Sequence, residues 1–64
     1  MKQPTAQDII EFRNSVGLTQ VELAGIVFVS ERQVQYWEAG RNDMPIGLWE
    51  LAQIKMLMDV HLPE

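Results

Sequence analysis

Residues 17–41 read GLTQVELAGIVFVSERQVQYWEAGR, and two helix-start signals inside this stretch, one at Thr19 and one at Ser30, decide the fold. Thr19 follows Leu18 and has Glu22 three residues on; Ser30 follows Val29 and has Gln33 three residues on. A hydroxyl at the residue before a helix accepts an orphan backbone amide, and the acid or amide three positions later returns the bond. The apolar pairs Leu18 with Leu23 and Val29 with Val34 staple each entry. Ala24 and Val27 extend the inner face of the first helix, Trp37 that of the second, and Gly40 stands where a left-handed residue closes a helix. Two short helices joined by a tight turn are therefore predicted over about residues 19–39.

The same grammar extends outward. Thr5 caps a preceding helix with Asp8 at its third position, and Ile9, Phe12, Arg13 and Val16 recur at helical spacing before Gly17 ends it. Downstream, Pro45 is tolerated at a first helical position and opens a helix over about 45–58 that carries Leu48, Trp49, Leu51, Ala52, Lys55 and Met58. Gly47 weakens its first turn, and Pro63 bars helix beyond it. The expected fold class is all-α, with four to five short helices in a single domain over residues 1–64 and no linker, repeat or low-complexity segment.

A chain of 64 residues buries a small core, which leaves no room for a large catalytic cleft and makes dimerisation a useful source of extra burial. Ser15 and Ser30 have no base beside them in sequence, and Ser30 is explained as a cap, so no enzyme is expected. With no cysteine and a single histidine, His61, no disulfide, metal site or cofactor is expected either. No apolar run approaches the roughly 20 residues of a membrane span, and Met1 to Ile10 lack the apolar stretch of a signal peptide, so the expectation is a cytoplasmic protein without a membrane partner. The net charge of −4 opposes nucleic-acid binding, because affinity for DNA rests largely on cations that neutralise phosphates. Net charge governs long-range steering, however, whereas docking needs a local set of donors.

The segment from Gly17 to Arg41 closely resembles the lambda-repressor-like (Cro or XRE-type) helix-turn-helix family. There the same layout reads Gly-Leu, a cap, Gln, two positions, Leu-Ala, a turn, Ser, and a closing Trp-Glu-x-Gly. With its flanking helices the resemblance covers roughly residues 5–58, and compact regulators of phages and mobile elements, including those associated with anti-CRISPR operons, are similar. It implies a sequence-specific double-stranded-DNA-binding transcriptional regulator, an autoregulatory repressor, acting as a homodimer on a palindromic operator. It further implies that Gln20 bonds a phosphate, that Arg13 and Glu38 form a partly buried ion pair between the first and third helices, and that Trp37 is core. One departure stands out: Phe28 occupies the turn position where the family usually has glycine. Either the turn is reshaped, or the register shifts, or Phe28 faces the core or a partner.

Residue chemistry fills in the helix that starts after Ser30. Arg32 can pair with guanine in bidentate fashion and Gln35 with adenine, Glu31 can accept from cytosine, and Tyr36 can touch a thymine methyl or a phosphate. Gln33 is placed with the phosphate contacts, as are Arg41 and Asn42, which form a second clamp with the free amides of Ile46 and Gly47. A merely soluble helix face would favour Glu and Lys over Gln-Val-Gln-Tyr. The last helix has more apolar surface than one small domain buries, and Trp49, Ile54, Leu57 and Met58 are the expected dimer interface, with Met56, Val60 and Leu62 adding to the excess. The competing expectation is a protein-interaction module, antitoxin-like or a co-repressor subunit, whose acidic surface binds a basic partner.

Overall fold

The computed structural model describes residues 2–61, with side chains described as far as Met58. It is all-helical among these residues: α1 spans Ala6–Ser15, α2 Gln20–Ile26, α3 Glu31–Glu38 and α4 Ile46–His61. The contributions expected of Val60 and Leu62 lie outside the described side chains. No helix among the described residues is long and apolar enough to cross a membrane.

The starts of the first three helices follow from their caps. Thr5 Oγ1 accepts the Asp8 amide at 3.0 Å while the Asp8 carboxylate accepts the Thr5 amide at 2.9 Å, and Thr19 and Glu22 repeat the exchange at 3.1 and 2.9 Å. At α3 the exchange is one-sided: Ser30 Oγ accepts the Gln33 amide at 3.2 Å, and no return bond from Gln33 forms among the described residues. A neutral amide is a weaker acceptor than a carboxylate, so the third box is half made. Pro45 sits one position earlier than expected, outside the helix, where its carbonyl accepts the Leu48 and Trp49 amides at 3.0 and 3.1 Å. The helix also runs past residue 58 to His61, because the next helix-breaking residue in the sequence is Pro63.

α3 packs against both α1 and α2, and α4 packs against α2. Between them lie Ile9 of α1, Leu23 and Ala24 of α2, Val27 just after it, Val34 and Trp37 of α3, and Ala52 of α4, all buried. Met44, in the loop before α4, is buried with them, an anchor that the helical periodicity of the sequence does not announce. Trp37 is the largest of the fully buried side chains, and its indole N–H has no hydrogen-bond partner among the described residues. An unmet buried donor costs about 1–3 kcal/mol, so the ring's apolar contact must outweigh that penalty.

The turn between α2 and α3 keeps a left-handed residue without a glycine. Phe28 has φ of 63°, and the Val29 amide closes the turn on the Ala24 carbonyl at 3.0 Å. The turn is neither reshaped nor slipped; Phe28 takes the left-handed conformation itself, at a cost of roughly 1–2 kcal/mol. Its ring points outward and is 77% exposed, which excludes the core-facing alternative.

Candidate nucleic-acid interface

Burial of Val34 and Trp37 orients α3, and the opposite side of the helix is thereby turned outward. Glu31, Arg32 and Gln35 are exposed there, one helical turn or less apart, and Gln33 and Tyr36 are half-buried at the borders. The side chains of Arg32 and Gln35 make no hydrogen bond to the described residues, so both are free to contact a ligand.

The helix is held at this angle by a polar junction. Glu38 Oε2 accepts Arg13 Nε at 2.7 Å, and Glu38 Oε1 accepts Arg13 Nη2 at 3.1 Å and Gln20 Nε2 at 3.0 Å. Arg13 Nη1 also donates to the Leu18 carbonyl at 3.1 Å, so the Arg13–Glu38 pair together with Gln20 ties α1, the α1–α2 turn, α2 and α3. Burial pushes the Glu38 carboxyl up. The hydrogen bonds from Arg13 and Gln20, with the Arg13 charge, outweigh that and hold it below its ordinary value of 4.5. The Glu38 bond, partly countered by burial, holds the Arg13 guanidinium above its ordinary range. Arg13 is therefore occupied within the fold.

Gln20 was expected to reach a phosphate and is found on Glu38. Its amide nitrogen carries two hydrogens, and the one committed to Glu38 fixes the direction of the other. An open groove lies beside it, bordered by Asn14, Thr19, Gln20, Val21 and Glu31.

The far end of α3 closes on Gly40, whose φ is 76°. The Gly40 amide bonds the Trp37 carbonyl at 3.2 Å and the Arg41 amide bonds the Tyr36 carbonyl at 2.9 Å, the paired bonds of a Schellman stop. The Arg41 guanidinium then lies 5.1 Å from the centre of the Tyr36 ring. Arg41 and Asn42 are both exposed, and Ile46 and Gly47 stand in the first turn of α4.

The remaining expected residues are split. Trp49 is half-buried and packs edge-on against Phe12, with ring centres 5.3 Å apart, so part of its surface is taken by the contact between α4 and α1. An indole gains more from that neighbour than from solvent. Ile54, Leu57 and Met58 are exposed, at 53, 61 and 56%. The sequence gives Lys55 no role beyond its place in the last helix; its ammonium donates to the Ile26 carbonyl at 3.0 Å and stands 4.1 Å from the centre of the Phe28 ring. Among the described residues no three His, Cys, Asp or Glu side chains converge as metal ligands.

No family model matches the chain, and no curated protein matches its sequence significantly.

Proposed function

We propose that the chain is a sequence-specific double-stranded-DNA-binding regulator of helix-turn-helix type. In this reading α3 lies in the major groove, α2 lies across the backbone, and the chain acts as a homodimer that represses its own promoter. The observation that carries the reading is the two-sidedness of α3: Val34 and Trp37 are buried while Arg32 and Gln35, the side chains suited to guanine and adenine edges, are exposed and unengaged on the other side. Glu31 adds an acceptor for cytosine at the start of the helix. Gln20, aimed by Glu38, offers its second amide hydrogen to a phosphate; Gln33 and Asn42 flank the helix with further polar contacts. Ile54, Leu57 and Met58 recur at helical spacing on α4 and supply an apolar stripe for a second copy. The reading assigns no reaction to the chain.

The acidic balance fits this reading only if binding rests on few cations. Arg13 is spent on Glu38 and Lys55 on the Ile26 carbonyl, which leaves Lys2, Arg32 and Arg41. Affinity then depends weakly on salt compared with a basic regulator, and base contacts carry much of it. The test is selection of bound fragments from a random duplex pool. Arg32→Ala and Gln35→Ala are expected each to weaken binding to the selected duplex by about 10- to 100-fold with an unchanged circular dichroism spectrum. A wild-type chain that enriches no sequence and shifts no duplex at low salt overturns the reading.

The exposure of Phe28 favours a second reading, in which the chain is a protein-interaction module and the turn is its contact point. Tight, salt-insensitive binding to a neighbouring gene product, with no DNA in the complex, supports that reading over the first.

A further inference from the structure

The geometry points to Tyr36 as a positioning residue that holds Arg41 as a phosphate clamp at the C-terminal end of α3, in place of a base-reading role for Tyr36 itself. The inference rests on the reading of the chain as a duplex-DNA binder.

Two links fix Arg41. Its amide is bonded to the Tyr36 carbonyl at 2.9 Å through the stop at Gly40, and its guanidinium faces the Tyr36 ring at 5.1 Å. A Schellman stop brings together the side chains of these two positions, normally as an apolar contact. Here the same adjacency is made by an arginine on an aromatic face. Tyr36 is half-buried, so its ring is the fixed member and Arg41 the exposed, directed one.

The placement answers an electrostatic problem. The C-terminal end of a helix is its negative pole and repels an anion. Of the two carboxylates nearest in sequence, Glu38 has both oxygens taken by Arg13 and Gln20, and the exposed Asp43 forms no ion pair with Arg41. Arg41 forms no ion pair among the described residues, so its guanidinium is not committed to a carboxylate. A guanidinium pinned over Tyr36 by backbone and ring offers its remaining N–H donors outward in one direction, as a bidentate phosphate contact requires. The Tyr36 ring, covered on one face by Arg41, is correspondingly less available to a thymine methyl.

The experiment compares wild type, Tyr36→Phe, Tyr36→Leu, Arg41→Gln and the double variant Tyr36→Leu/Arg41→Gln. The probe is the duplex that wild type selects from a random pool, titrated across sodium chloride concentrations. Arg41→Gln is expected to lower the slope of log affinity against log salt by about one, without changing base preference. Tyr36→Phe keeps the wild-type slope, Tyr36→Leu loses most of that unit, and the double variant is no weaker than Arg41→Gln alone. Independently of DNA, the Arg41 side-chain proton resonances are shifted upfield by the ring in wild type and Tyr36→Phe, and return to ordinary positions in Tyr36→Leu. The inference is overturned if Tyr36→Leu or Tyr36→Phe changes the preferred base at one position while leaving the slope intact, since Tyr36 then reads sequence. Additive losses in the double variant, or no upfield shift in wild type, overturn it too. A wild-type chain that binds no duplex removes the DNA reading itself, an outcome distinct from all of these.

Discussion

α2 and α3 end in the same way and to opposite purposes. Each closes on a left-handed residue, Phe28 at φ of 63° and Gly40 at 76°, and each returns a backbone amide to the helix, Val29 to Ala24 and Arg41 to Tyr36. At each stop a cation faces an aromatic ring, Lys55 over Phe28 and Arg41 over Tyr36. At Phe28 the left-handed residue carries the ring and the strain, and the cation comes from α4, where it also caps the Ile26 carbonyl. At Gly40 the left-handed residue is unstrained, and the cation is a free loop residue. The first stop braces α4 against the end of α2; the second leaves its cation available. The two cation–π pairs therefore differ in whether the cation has a second engagement among the described residues.

The largest effect should come from Arg13→Met. It strands Glu38, whose side chain is only 8% exposed, and is expected to lower the unfolding free energy by about 2–3 kcal/mol in urea titration, somewhat below the range for fully buried pairs. It leaves both stops in place while loosening the junction that holds α1, α2 and α3 together. The same junction has a pH signature. A carboxyl held below its ordinary value contributes stability above 4.5 that is lost as pH falls through the lowered value, so wild-type stability declines below pH 4.5 and Glu38→Gln lacks that component.

Next in size is an exchange of the two stops. Gly40→Ala meets no atom within 4 Å of the added Cβ, so its whole cost is the left-handed backbone, roughly 1–2 kcal/mol by the same titration. Phe28→Gly relieves a similar strain but adds about 0.5–1 kcal/mol of backbone freedom in the unfolded chain and loses the Lys55 contact, so the change stays near zero. A neutral Gly40→Ala would mean that the second stop is not left-handed in solution. The smallest effects separate the two cations. Lys55→Met should cost about 1 kcal/mol, from a lost carbonyl cap and ring contact, while Arg41→Gln changes thermal stability by under about 0.5 kcal/mol. Equal losses at both positions would abolish the distinction.

The features legible in the sequence were those made by neighbours along the chain. Thr5 with Asp8 and Thr19 with Glu22 place helix starts because a cap and its third residue are in contact whatever the rest of the fold does. Burial of Leu23, Val34 and Trp37 follows from period alone. The rest depended on partners far apart in sequence or on small energy differences. Met44 carries no helical period because it lies in a loop, and the hydrogen bond from Gln20 to Glu38 joins two helices whose packing angle no local pattern encodes. Phe28 was recognisable as anomalous, but strain of about 1–2 kcal/mol is comparable to the cost of reshaping a turn, so sequence could not choose between them. The α3 surface was readable as a set of residues; the pairing of Tyr36 with Arg41 within it was not, since it depends on the direction in which the chain leaves Gly40.

α2 and α3 have seven and eight residues, well short of the roughly 12–15 at which an isolated helix persists in water. Neither can form ahead of the other or of α1, whose Arg13 completes the Glu38 junction. The exposed row of Arg32 and Gln35 thus exists only in the finished fold, and a peptide cut from residues 20–38 would be a coil. Anything that engages that row selects the whole native state over the unfolded one, so binding should appear as a rise in melting temperature with ligand concentration, and the surface should vanish in one cooperative step on heating.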